Sequence, residues 1–290
     1  MDMSQKELIK RAEILTDALP YFSHYVGETV IIKYGGNAMN DPAIFKTIMQ
    51  DTAALKILGV HPILVHGGGP EIDTQLGRLN IASEFKKGLR VTTPDAMDVV
   101  QMTLAGKVNK NIVASLNTLG VRAVGLCGMD GNLIECERHV DKDGTHYGCV
   151  GNVTRINPSL LQALKADFIP VIATIGVGAK GEAYNINADL AAAAIGGALQ
   201  AEKLLFLTNI DGIRKDPTNP SSLIKKVTVT ETKSLVKKGI ISGGMIPKVD
   251  ACVSAIEAGV SNVIITNGTV PHAILLELFT SEGVGTMVTA

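Results

Sequence analysis

Along residues 4–22 apolar side chains recur at Leu8, Ala12, Leu15, Leu19 and Phe22, spaced four, three, four and three apart with charges between them. That period places them on one stripe of an amphipathic helix. Beyond it the pattern changes to short apolar runs, Thr29–Tyr34, His61–His66, 168–175 and Lys203–Thr208. Helical stretches alternate with these runs: one after Asp41, one near 70–79 and one over 188–199. Unbroken apolar strands alternating with helices predict an α/β fold, an open three-layer αβα sandwich around a mainly parallel central sheet, in two lobes that share it. Between residues 125 and 153 the pattern breaks into short β-like pieces such as 133–137 among Asp, Gly and charged positions, which predicts a small hairpin-like excursion.

Composition narrows the picture. The 290 residues are 46% hydrophobic but hold no Trp and only 4% aromatics, so the core is aliphatic and rich in Ala and Gly. With 27 Lys and Arg against 28 Asp and Glu, the chain has no broad field for nucleic acid or an anionic membrane. Cys127, Cys136, Cys149 and Cys252 show neither CxxC pairing nor disulfide-scaffold density, and residues 1–10 lack the apolar stretch of a signal peptide. A reduced, cytoplasmic protein is expected.

Candidate chemistry gathers in glycine-rich segments at strand ends. Val30-Ile31-Ile32-Lys33-Tyr34-Gly35-Gly36-Asn37 delivers a lysine and two glycines, which suits phosphate, although an ordinary strand exit with a solvated lysine has the same pattern. His66-Gly67-Gly68-Gly69-Pro70 follows a second strand and enters a helix, where N–H groups and the helix dipole converge on an anion. Neither matches GxxxxGK[ST]. Gly176, Gly178 and Gly181 spell GxGxxG but run into no helix, so a dinucleotide site is not expected. Asn187 and Asp189 suit the N-cap and first turn of the Ala-rich helix, which leaves Asn185 unexplained. Ser242-Gly243-Gly244-Met245-Ile246-Pro247-Lys248 puts a lysine where a glycine turn meets a helix at 249–257, a position an anionic ligand would rationalise. Arg90, in Gly88-Leu89-Arg90-Val91-Thr92, is either a surface residue or a bidentate clamp for a carboxylate. Histidines do not cluster as metal ligands and no GxSxG occurs.

Taken together, Lys33 to Asn37, His66 to Pro70, Gly88 to Thr92, Asn185 to Asp189 and Gly243 to Lys248 make the chain similar, over residues 28–290, to the acetylglutamate-phosphorylating branch of the amino acid kinase family. The resemblance implies an N-terminal helix (1–27), a lobe for N-acetyl-L-glutamate (28–180) and a lobe for ATP and its Mg²⁺ (181–290). It implies that Lys33 and Lys248 stabilise the transferring phosphoryl group while Asp189 holds both lysines. Gly68 and Gly69 would meet substrate and phosphoryl through N–H groups, Arg90 would clamp the α-carboxylate, and Asn185 would bind the acetylated end. Gly35, Gly36, Thr208, Asn209 and Met245 fall where the family contacts nucleotide. The N-terminal helix resembles the extension that interlaces dimers into a hexamer in arginine-inhibited forms, though packing on its own subunit is also open. Lys215, His272, Glu282 and Gly285 would then serve L-arginine as inhibitor. The competing readings are a kinase of the same superfamily for another small acid or nucleotide, and a catalytically silent arginine-binding sensor.

Overall fold

The computed structural model describes residues 5–39, 41–141, 143–216 and 218–290. The amphipathic stripe forms α1 (Gln5–Tyr25); Ser4, where the pattern starts, lies outside the described residues. Its last turn packs on the body, with Phe22 and Tyr25 edge-on to Phe279 at centroid distances of 4.7 and 6.1 Å. Leu8, Leu15 and Leu19 remain more than half exposed.

The next strands are β1 (Thr29–Tyr34) and β2 (His61–His66), with α2 (Pro42–Ile57) between them. Asp41 caps α2, accepting the N–H groups of Ala43 and Ile44 at 2.8 and 3.2 Å, while Pro42 takes the first position, where a missing N–H costs nothing. Then come α3 (Gly69–Arg78) and the hairpin β3 (Glu84–Lys86) and β4 (Leu89–Val91). A long helical rod follows: α4 (Pro94–Gln101), a π-helical stretch Met102–Val108, and α5 (Asn109–Thr118). The middle of the chain holds β5 (Ala123–Cys127), β6 (Ile134–Val140), β7 (His146–Ile156), α6 (Ser159–Leu164), β8 (Ile169–Ala173), β9 (Ile175–Val177) and β10 (Ala183–Asn185). The C-terminal part holds α7 (Ala188–Ala198), β11 (Lys203–Thr208), β12 (Lys226–Thr228), α8 (Val229–Lys237), α9 (Met245–Glu257), β13 (Asn262–Asn267), α10 (Ala273–Phe279) and β14 (Thr286–Thr289).

One eight-stranded sheet, in the order β12-β14-β13-β11-β1-β2-β8-β5, forms the middle layer. The six strands from β13 to β5 run parallel, and β14 joins β13 antiparallel. Alternation along β1 sorts its side chains between two cores. Ile31 packs with Ile63, Phe206 and residues of α7 and α9, whereas Val30, Ile32 and Tyr34 pack with α2, α5 and α10. Lys33 shares the parity of Ile31 and therefore rises on the α7 and α9 side, at the carboxyl end of the central strand. Loops after β1, β2 and β11 meet there, the crevice where open α/β sheets place ligands.

Three details depart from the sequence pattern. The apolar run 168–175 is not one strand: it breaks at Thr174, and β9 leaves the main sheet. The excursion is a β6–β7 hairpin, but it closes with β9 and β10 into a small four-stranded barrel. Of the GxGxxG glycines, Gly176 lies within β9 opposite Tyr184, while Gly178 and Gly181 occupy the β9–β10 turn, where Gly181 takes φ +84°. Helix α9 begins at Met245, so Lys248 lies within its first turns instead of preceding it. Among the described residues no helix is long and apolar enough to cross a membrane.

Candidate active site

Asp189 lies in the first turn of α7, held there because Asn187 caps the helix through the N–H groups of Asp189 and Leu190 at 2.9 and 3.2 Å. Its carboxylate stands between two ammonium groups. Lys33 Nζ is 2.9 Å from Oδ1 and Lys248 Nζ is 3.3 Å from Oδ2. The Lys248 contact is a hydrogen bond; the Lys33 contact is a charge pairing at an angle that leaves Oδ1 without an aligned donor. Burial by itself raises the carboxyl pKa, but Lys33 and then Lys248 outweigh it and hold the group below the ordinary carboxylate range. Two cations on one anion leave a net positive charge where the N-termini of α3, α7 and α9 converge, and each dipole adds to it. Such a place suits an anion in transit.

The glycine loops frame that charge. A Cβ on Gly35 would lie 3.6 Å from both Lys33 Nζ and Gly67 N, so the loops after β1 and β2 meet over the lysine. A Cβ on Gly67 would meet the Cβ of Ala188, the first residue of α7, at 3.5 Å, and one on Gly68 would run into Leu104 at 2.6 Å. Gly36 takes φ +70°, and the side chain of Asn37 lies outside what is described. Arg90, on β4, is buried at the entrance to α3. Its Nη1 pairs with Asp73 at 2.5 Å and with Ser83, its Nη2 faces the Gly69 carbonyl at 3.4 Å, and Phe85 lies 4.5 Å from the guanidinium. Asn185, on β10, donates to Thr92 Oγ1 at 3.2 Å, joining the β4 and β10 ends. Lys33, Gly68, Gly69, Arg90, Asn185, Asp189 and Lys248 thus come from seven different elements or loops to one side of the sheet's carboxyl edge.

Across that edge opens a cleft of about 510 Å³ bordered by Asn209, Asp211, Gly212, Met245 and Asn267. Asn209 and Met245 are in its wall; Thr208 is not, because its hydroxyl closes the turn after β11 with the backbone of Ile210. Of the four residues expected to serve arginine, Glu282 and Gly285 border a separate cleft of about 170 Å³ with Tyr21, Tyr25 and Glu277. His272 instead pairs with buried Asp51 at 2.6 Å, and Lys215 lies in the β11–β12 connection, its N–H on the Ser222 carbonyl. Among the described residues no three His, Cys, Asp or Glu side chains gather as a metal site.

Sequence reasoning missed Asp73 and Ser83, the partners that orient Arg90, and Asp211 and Asn267, which bond each other at 2.9 Å in the larger cleft. Their only signal was proximity to a glycine or turn segment, and pairing across 17 and 56 positions is invisible along a chain. Residues 28–267 match the model of the amino acid kinase family. The chain is 48% identical to acetylglutamate kinase of Moorella thermoacetica, covering 97% of each, and 50% identical to acetylglutamate kinase of Heliobacterium modesticaldum, covering 97% of this chain and 98% of that one. N-acetylglutamate synthase from Neisseria gonorrhoeae complexed with coenzyme A and N-acetyl-glutamate superposes at a TM-score of 0.84 with 27% identity over 96% of this chain, which spans 63% of that protein's length. Carbamate kinase from Giardia lamblia bound to AMP-PNP superposes at 0.66 with 16% identity, covering 90% of this chain and 98% of that one, a likeness of fold.

Proposed function

The chain belongs to the amino acid kinase family, and from that premise we propose that it transfers the γ-phosphoryl group of ATP to the side-chain carboxylate of N-acetyl-L-glutamate, a step of arginine biosynthesis. The observation that carries the reading is the Lys33–Asp189–Lys248 array beside two glycine loops. The attacking carboxylate is ionised at neutral pH, so no general base is required. Two anions must instead be brought into line and their charge neutralised as it spreads over the transferring group. Lys33 and Lys248 neutralise that charge, Asp189 spaces them, and the Gly68 and Gly69 N–H groups receive phosphoryl and acceptor oxygens.

In this reading residues 28–180 hold the acyl amino acid, with Arg90 on its α-carboxylate and Asn185 on its acetylated end. Residues 181–290 hold the nucleotide, in the cleft walled by Asn209 and Met245. ATP enters as its magnesium complex, the ion carried on the phosphates. The enzyme acts in the cytoplasm. L-arginine would inhibit from the cleft beside α1, where the Glu277 and Glu282 carboxylates and two tyrosines suit a guanidinium. The exposed leucines of α1 would be covered by a second copy in a hexameric ring.

A coupled assay of MgATP consumption tests the substrate, comparing N-acetyl-L-glutamate with L-glutamate, L-aspartate, carbamate and uridine monophosphate, with and without L-arginine. Turnover confined to N-acetyl-L-glutamate is expected. Preference for another acceptor refutes the substrate, and arginine binding without any turnover refutes the kinase.

A further inference from the structure

His66 ends β2 directly before the glycine loop and is wholly buried, a costly place for an ionisable ring unless both nitrogens find partners. Both do. Nδ1 lies 2.8 Å from the Gly67 carbonyl oxygen, and Nε2 lies 3.1 Å from Asn109 Nδ2. A carbonyl can only accept, so Nδ1 carries the hydrogen. The Asn109 amide is oriented by its other neighbours: Nδ2 donates to Val171 O at 2.8 Å and reaches Leu126 O at 3.4 Å, while Oδ1 accepts from Lys110 Nζ at 3.0 Å. Asn109 therefore turns a donor toward Nε2, which accepts. These contacts select one neutral tautomer. Burial pushes the ring's pKa down to about 4 against the pull of the Gly67 carbonyl, and nearby Lys110 helps hold it there.

The consequence falls on the loop. A planar trans peptide points its C=O and N–H in opposite directions. Holding the Gly67 carbonyl on the imidazole turns the Gly68 N–H away from the ring, while the Gly67 N–H is already bonded to Tyr34 O at 3.2 Å. Leu104 and Val108, in the π-helical stretch, close against Gly68 from the other side. That stretch ends at Asn109, so the same irregular turn that crowds Gly68 also delivers the amide that fixes His66; π-helical turns are often found at functional sites.

We propose that His66 and Asn109 are positioning residues for phosphoryl transfer: the imidazole, fixed by Asn109, aims the Gly68 N–H at the transferring group. This rests on the kinase reading above.

The test compares His66→Leu, His66→Asn and Asn109→Ser with the wild type, using MgATP and N-acetyl-L-glutamate, with folding followed by circular dichroism. Asparagine at 66 offers an amide N–H near the Nδ1 position, whereas leucine offers no donor. In His66→Leu and Asn109→Ser, kcat falls by about 10- to 100-fold, less than the roughly 100- to 1,000-fold cost of removing a transition-state donor outright, because the Gly68 N–H is misaimed but not lost. KM for both substrates stays within about threefold, since the interaction is made chiefly in the transition state. His66→Asn recovers most of kcat. Binding of MgADP with aluminium fluoride, a planar phosphoryl mimic, weakens in step with kcat while MgADP alone binds unchanged.

Loss of thermal stability without this kcat-specific effect, or an asparagine variant no better than leucine, overturns the proposal. If His66→Leu does not fold, Asn109→Ser keeps the ring and decides through the same kcat and aluminium fluoride readings. A wild type without turnover refutes the kinase reading; an active wild type with undiminished kcat in folded Asn109→Ser refutes the positioning role alone.

Discussion

Replacing Asp189 by asparagine keeps the shape of the side chain and removes the charge that separates Lys33 from Lys248. At contacts of 2.9 and 3.3 Å, each pairing is worth about 5 to 6 kcal/mol in an effective dielectric of about 20, before desolvation is subtracted. Taking one member out of a buried ionic cluster costs about 3 to 5 kcal/mol net. Because the asparagine oxygen still accepts from one lysine, the lower end applies, a fall in Tm of about 6 °C for a chain of this size. The two ammonium groups then repel and the transferring charge is poorly met, so kcat drops by about 100-fold. The assay is initial-rate MgATP consumption with N-acetyl-L-glutamate between pH 6 and 9, paired with thermal unfolding. In the proposed mechanism Asp189 organises cations and abstracts no proton, so the residual rate should keep the wild-type pH profile. A variant that regains the wild-type rate only at high pH, or one with unchanged kcat, refutes this account.

Other outcomes follow from the same geometry. Arg90→Lys loses the planar fork that engages Asp73, Ser83 and the Gly69 carbonyl, so KM for the acyl amino acid rises by about tenfold or more with a smaller change in the KM for ATP, measured by steady-state kinetics. His66 has a folded pKa of about 4 against 6.5 in a free chain, so the unfolded state binds the extra proton between those values. The stability it contributes is complete above pH 6.5 and about 3 kcal/mol is withdrawn as pH falls toward 4, so denaturant unfolding of folded His66→Asn should show a shallower acid slope in that window. Asp189, whose pKa is lowered, contributes stability that is present above the ordinary carboxyl value near 3.8 and lost as pH falls below it; Asp189→Asn flattens that lower limb of the same titration. On the regulatory proposal, deleting residues 1–25 removes the exposed leucines of α1 and the tyrosines of the smaller cleft, so the truncated chain should sediment as a smaller species than the full chain and respond less to L-arginine; an undiminished arginine response in a truncated dimer refutes that proposal.

Much of the fold was legible along the chain because its strands are buried on both faces and read as unbroken apolar runs: Thr29–Tyr34, His61–His66 and Lys203–Thr208 are strands at those limits. The helix after Asp41, the cap residue Asn187, and the glycines that let backbones approach an anion were equally local signals. Lys33, Asp189 and Lys248 could be nominated from their neighbours, yet their distances could not, since 156 and 59 positions separate the partners of Asp189. Only the tertiary structure decided that Lys33 rises on the α7 side, because that depends on the parity of β1 within a sheet whose order no local pattern encodes. The break at Thr174 and closure of the small barrel were likewise decided by strand pairing, a competition among distant partners. His66 shows the division most clearly: the sequence places a histidine before three glycines, but its neutrality follows from burial, and the fixing of its ring between the Gly67 carbonyl and Asn109 follows from Val171 and Lys110 orienting that amide, all of which only packing brings about.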